Sequence, residues 1–288
     1  MLQAPAPSRP ALWPVVVAYL VAFVAALGAS AVFVVVAALP RAGGDAMRLA
    51  DEVAKFAVTA PGLMGAALVD AVVLALVAGI AARLQGKGVA ARLRLGPTRA
   101  SPLGLLAAVV GMAGLSLAGG AAAQLVPFGH GGVMDTMAVA LQHPGPTRFA
   151  LGLFTIGLAP GIAEETFFRG LLQTRLAARW GRWPAIVLSA LGFGLFHVDP
   201  VQGSLAFVAG LLLGWMVERF GGIRPSIAAH AINNAMFVAL ASVAPGVADV
   251  PDGRAGTAGV LVAGAVVCAA SIAVLRSRFA VRASTPAS

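Results

Sequence analysis

Long apolar stretches separated by short polar segments account for most of the chain. Eight stand out, at about 14–39, 57–82, 103–126, 149–172, 184–198, 204–217, 226–244 and 257–275. A helix needs about 20 apolar residues to cross the hydrocarbon of a bilayer, and in lipid a helix satisfies its own backbone. The pattern predicts an all-α polytopic membrane protein, a bundle of about eight transmembrane helices. The fifth and sixth stretches are short, which points to tilt, re-entry or extension into the adjoining loops. The first is far longer than the 7–15-residue apolar region of a signal peptide and ends without a small-residue cleavage site, so it reads as a retained span.

Between the spans, segment 40–56 mixes Asp45, Asp51 and Glu52 with basic residues and predicts a short amphipathic helix at the interface. Segment 127–147, with His130, Asp135 and His143, reads as an outer loop holding a helical turn. The expected organisation is a tail at 1–12, three membrane helices with their loops over 13–147, a chemical core over 148–247, a last helix over 248–276 and a tail at 277–288.

Composition agrees with this reading: 59% of the 288 residues are hydrophobic and 11% charged, against roughly 25% charged in soluble domains. The net charge of +9 is a matter of topology. Fourteen of the 20 Lys and Arg residues fall in alternate segments (the N-terminus, 83–102, 173–183, 218–225 and the C-terminus), and four lie on the opposite side. Basic residues concentrate on the cytoplasmic side, so both termini are expected in the cytoplasm, with the lipid bilayer rather than nucleic acid as the partner. The Ala- and Arg-rich, Lys-poor composition suggests a GC-rich bacterial genome, and hence an integral protein of a bacterial inner membrane. The single cysteine, Cys268, allows neither an intramolecular disulfide nor a Cys-based metal site. Gly210 and Gly214 form a GxxxG in span six, whose plain meaning is close helix packing.

The ionisable residues inside spans are few: Asp70, Glu164, Glu165, Arg169, His197 and His230, with Asn234 as a polar companion. Each charge near the bilayer centre costs about 2.5–3.5 kcal/mol on insertion scales, so such residues face a bundle interior or a wet cavity. Glu165 and Arg169 are four apart and share a helix face, where they can pair. Glu164 points about 100° away, free for chemistry. Pro160, just ahead, removes a backbone donor and kinks the helix. His197 follows Phe193 by four residues, and His230 precedes Asn234 by four. Asp70 either pairs across helices or lines the cavity. The bland alternative is that the acids and arginine lock adjacent spans together and that the histidines are satisfied packing residues.

Glu164-Glu165-xxx-Arg169, Phe193-xxx-His197 and His230-xxx-Asn234, in that order on successive spans, resemble the three motifs of the CPBP family. That family comprises CAAX proteases and bacteriocin-processing enzymes, including type II CAAX prenyl endopeptidases. The resemblance covers roughly 149–244 and implies an intramembrane endopeptidase. It implies that Glu164 and His197 activate a water, that His230 and Asn234 stabilise the oxyanion, and that Glu165 and Arg169 support them from behind. It implies a peptide or protein substrate presented at the membrane, either a prenylated CAAX-like or a bacteriocin-like peptide. No cofactor is required in the preferred version. The alternative makes Glu164, His197 and His230 ligands of a catalytic zinc, but the chain lacks an HExxH helix and Asn234 suits an oxyanion better than a metal.

Two other classes stay open: a secondary transporter, which also places charges near the midplane of a broken helix, and a non-catalytic immunity or scaffold protein. One expectation conflicts with the rest. Counting along span five puts His197 nearer its outer end, whereas Glu164 and His230 fall toward the cytoplasmic half.

Overall fold

Three of the long helices begin on the same local signal, a side-chain oxygen followed closely by proline. Thr59, Ser101 and Asp199 each accept from the backbone N–H three residues on, and Pro61, Pro102 and Pro200 occupy the first turn. These caps satisfy donors that would otherwise be orphaned, at the position where proline's missing N–H costs nothing. The structure, a computed structural model, describes residues 10–86, 88–126, 132–243 and 253–278. His130 and most of both expected tails lie outside them.

The described residues are helical, without strands. In chain order they form α1 (Trp13–Ala42), α2 (Ala46–Ala57), α3 (Ala60–Leu84), α4 (Val89–Arg92), α5 (Pro102–Gln124) and α6 (Val133–Ala140). Then follow α7 (Pro146–Gly152), α8 (Ala159–Glu164), α9 (Thr174–Trp180), α10 (Arg182–Phe196), α11 (Pro200–Phe220), α12 (Arg224–Val243) and α13 (Arg254–Arg278). Six of these, α1, α3, α5, α11, α12 and α13, are long and apolar enough to cross a membrane. The other two predicted spans take less regular forms. The fourth is a continuous helical run over 146–180, in which π-helical turns at Leu153–Leu158 and Glu165–Gln173 separate α7, α8 and α9. The fifth is α10, 15 residues long, or about 22 Å. The sixth, which looked short, extends to 21 residues in α11, because Gln202 and Glu218 interrupt its hydropathy without ending the helix.

α2 is strongly two-sided: Lys55 pairs with Asp51 at 2.5 Å and Glu52 at 3.4 Å on its exposed face, while the Arg41 guanidinium lies 5.2 Å from the Phe56 ring. Such exposed pairs are worth little; the amphipathic face is what suits an interface. Burial is concentrated around the 146–180 run. Phe167 and Phe168 are fully buried and join Leu74 of α3, Val15 of α1 and Phe193 of α10 in one core. A second core unites α5, α11 and α13 around Met112, Leu213 and Leu275.

At one end of the bundle the α3–α5 connection grips the α11–α12 turn. Arg99 N–H donates to the Phe220 carbonyl, Ile223 N–H to Arg94, and the Arg224 guanidinium to Leu95. The Leu93 carbonyl would stand 2.8 Å from any Cβ at Gly170, so this loop packs directly on the 146–180 run.

Candidate active site

The fourth span is irregular where the two acids sit, and the cause is local. Pro160 has no N–H for the Ile156 carbonyl four residues back, and π turns commonly mark such repairs at functional sites. Asn234 Nδ2 donates to that same carbonyl at 3.4 Å, tying α12 to the break. Close approach of the two helices depends on absent side chains. A Cβ at Gly161 would stand 2.8 Å from the Ala231 Cα, and one at Gly157 3.3 Å from Ala235 Cα. Glycines four residues apart thus meet alanines four residues apart, the small-residue contact that lets membrane helices touch backbone to backbone.

That contact sets His230 between the two acids. Its Nδ1 is 3.0 Å from Glu165 Oε1 and its Nε2 is 3.5 Å from Glu164 Oε2. A carboxylate can only accept, so Nδ1 carries the proton, and Glu165 orients the ring as a buried acid orients the histidine of a catalytic triad. The longer Nε2–Glu164 separation exceeds a direct hydrogen bond and leaves the pair to share or pass a proton. Glu164 keeps 16% of its side-chain surface exposed, against none for Glu165. Only the first acid is open to a water molecule.

Arg169 backs the arrangement. Its Nη1 is 2.8 Å from Glu165 Oε1, both side chains being fully buried, and its guanidinium carbon lies 4.4 Å from the Phe193 ring centre. A desolvated cation–π contact of this kind contributes about 2 kcal/mol. Satisfaction is nonetheless incomplete: Glu165 Oε2, the Arg169 nitrogens and Gln173 Oε1 have no aligned hydrogen-bond partner in the protein. The 2.8 Å contact is therefore a charge contact rather than a well-directed hydrogen bond. Orphaned buried polar atoms typically cost about 1–3 kcal/mol each.

Phe193 gathers the remaining pieces. The His197 and His230 rings stand edge-on to it at 4.9 and 5.7 Å. His197 is the residue after the last turn of α10 and stands against the Phe193 ring that His230 also touches, so both histidines meet one ring. Its Nδ1 is 2.8 Å from the Phe193 carbonyl, which leaves Nε2 for other work. Among the described residues no three His, Cys, Asp or Glu side chains form a group that could hold a metal ion.

Some of the surroundings were not anticipated. Gln173 continues the Glu165–Arg169 face by four residues; its Nε2 donates to the Gly214 carbonyl at 3.0 Å and to Glu218 Oε1 at 2.9 Å, and Glu218 pairs with Arg94 at 2.6 Å. The GxxxG of α11 is what admits these side chains: a Cβ at Gly210 would stand 3.1 Å from Arg169 Nη2, and one at Gly214 2.6 Å from Gln173 Oε1. The i+4 spacing from Arg169 to Gln173 was the available signal. Asp70 of α3 accepts from Ser30 Oγ of α1 at 2.7 Å and lies within electrostatic reach of Glu164.

Comparison with curated proteins and with solved structures gave no match. Residues 146–236, from the start of α7 into α12, match the family model described as Type II CAAX prenyl endopeptidase Rce1-like. That segment holds both acids, Arg169, both histidines and Asn234, and the match agrees with the resemblance its three motifs carry: this is an all-α membrane protein in which residues 146–236 are similar to the Rce1-like CAAX prenyl endopeptidases.

Proposed function

We propose that the chain is an intramembrane endopeptidase that hydrolyses a peptide bond in a membrane-presented substrate, with Glu164 as general base. The observation that carries the reading is the placement of His230 between a partly exposed acid and a buried, arginine-backed one. Glu164 takes a proton from water as its oxygen attacks the carbonyl carbon. His197, through the nitrogen not bonded to Phe193, orients the water. The second N–H of Asn234 donates to the developing oxyanion, with the His230 ring, held through Nδ1 by Glu165, beside it. The proton held by Glu164 then passes to the leaving nitrogen as the C–N bond breaks. Each contribution has a familiar size: about 10²–10⁴-fold for general acid–base catalysis and about 10²–10³-fold for one oxyanion donor.

The Rce1-like match supports a CAAX-type protease in general. We infer that the substrate is a non-prenyl peptide, from the GC-rich bacterial composition, and that the protein sits in a bacterial inner membrane with both termini cytoplasmic. In this reading the water needs no metal. The decisive experiment reconstitutes the full chain in lipid and supplies matched prenylated and unprenylated membrane peptides. Glu164→Gln should abolish cleavage while leaving thermal unfolding and membrane insertion unchanged; cleavage at the wild-type rate would remove Glu164 as the base. Zinc analysis of the same preparation decides the metal alternative, because full activity in a zinc-free sample ends it.

A further inference from the structure

Asp70 is a membrane-embedded acid to which the mechanism above gives no task. Among the described residues it forms no ion pair with Lys, Arg or His. Its support comes from neutral groups. Ser30 of α1 donates to Oδ1 at 2.7 Å, and its neighbours Ala71 and Leu74 share a core with Ala163 and Phe167, which flank the two acids. Asp70 is half-buried rather than sealed, and Oδ2 is left for another donor. An intramembrane carboxylate with no cation beside it is retained for a ligand or a reaction.

The reaction proposed above creates what this acid lacks. A peptide bond is neutral, but its hydrolysis releases an amine that becomes an ammonium. The water oxygen joins the carbonyl carbon, the water's first proton reaches nitrogen through Glu164, and the C–N bond breaks. The new carboxylic acid then gives up its proton, which completes the ammonium. A cation formed in a low dielectric needs an anion close by; Glu164 only passes its proton to the nitrogen, and Glu165 is already paired with Arg169 and His230. We propose that Asp70 binds the nitrogen side of the scissile bond, its Oδ2 accepting from the leaving amine and balancing its charge while Ser30 holds Oδ1 in place. This assignment rests on the endopeptidase reading. It sets α3 and α1 as the wall for the departing half of the substrate and α12 as the wall for the acyl half.

An ester separates the roles, because its leaving alcohol never becomes charged. The full-length protein in lipid would be assayed on a membrane peptide and on the same peptide with an ester at the scissile bond. Asp70→Asn should slow amide turnover at least about tenfold and leave ester turnover within about twofold, with Asp70→Glu restoring part of the amide rate. Equal losses on amide and ester, or none on the amide, would overturn the proposal. Ser30→Ala, which keeps the charge but frees it, gives a second reading should Asp70→Asn fold poorly: a smaller loss, again confined to the amide. If Glu164→Gln still cleaves, the protease reading itself has failed; if Glu164→Gln is dead and Asp70→Asn slows both bonds alike, only the role of Asp70 has.

Discussion

The molecule uses one packing device twice, to different ends. Where α5 meets α13, Gly114 and Gly264 face each other so closely that a Cβ on either would stand 2.8 or 2.6 Å from the other's carbonyl oxygen. Where α8 meets α12, a Cβ on Gly161 would stand 2.8 Å from Ala231. The first contact is flanked by apolar and small residues such as Met112, Val267 and Cys268 and holds two helices together. The second is flanked by Glu164, Glu165, His230 and Asn234. Its closeness is what brings a 3.0 Å hydrogen bond and a 3.5 Å charge contact onto one histidine. Small residues set the distance between helices; what stands beside them decides whether that distance serves packing or chemistry.

The largest expected effect tests the second contact. Gly161→Val drives a branched side chain into the α12 backbone, and because about 1 Å of misplacement costs roughly 10²-fold in rate, cleavage per folded molecule should fall by at least that factor. Retained activity would show that the Glu164–His230 geometry does not depend on this approach. Next is Arg169→Met, which strands Glu165 as a buried, uncompensated charge; removal of one partner of such a pair destabilises by about 3–5 kcal/mol. Adding Glu165→Gln should recover much of that stability, measured by thermal unfolding, without recovering turnover.

Gly114→Val is the control for the comparison. It should cost about 1–3 kcal/mol by overpacking and leave the specific activity of the surviving folded protein within about twofold, since distant sites act independently. A large drop in specific activity would mean the two contacts are coupled. The smallest effect belongs to Gly210→Ala, which adds one methyl that would stand 2.9 Å from the Ala190 Cβ and 3.1 Å from Arg169 Nη2, so that the neighbours must shift slightly. A loss of roughly 1 kcal/mol with a few-fold fall in turnover is expected, and a double-mutant cycle with Arg169→Met would show whether the fall runs through Arg169.

Much of this was legible along the chain. Hydropathy located every long helix to within a few residues, and α2 answers the expected amphipathic segment, because lipid imposes the same length and polarity on any helix that crosses it. The pairing of Glu165 with Arg169 follows from four-residue spacing on one helix. Span four was harder: Pro160 predicts a kink, but not the π turns on either side of it or the carbonyl that a residue of another helix, Asn234, comes to meet. The shortness of α10 was legible in its apolar stretch, but its stop at His197 depends on the turn into α11.

By itself, then, the order of residues determined that the protein is a bundle of membrane helices and which charged groups lie at membrane depth, since both follow from single-helix periodicity and the cost of burying charge. Only the tertiary structure decided that His230 rather than His197 stands between the two acids, that a GxxxG makes room for Arg169 and Gln173, and that Asp70 is held by Ser30 within electrostatic reach of Glu164. Those relations join residues on different helices, and their distances are set by which side chains are missing where the helices cross.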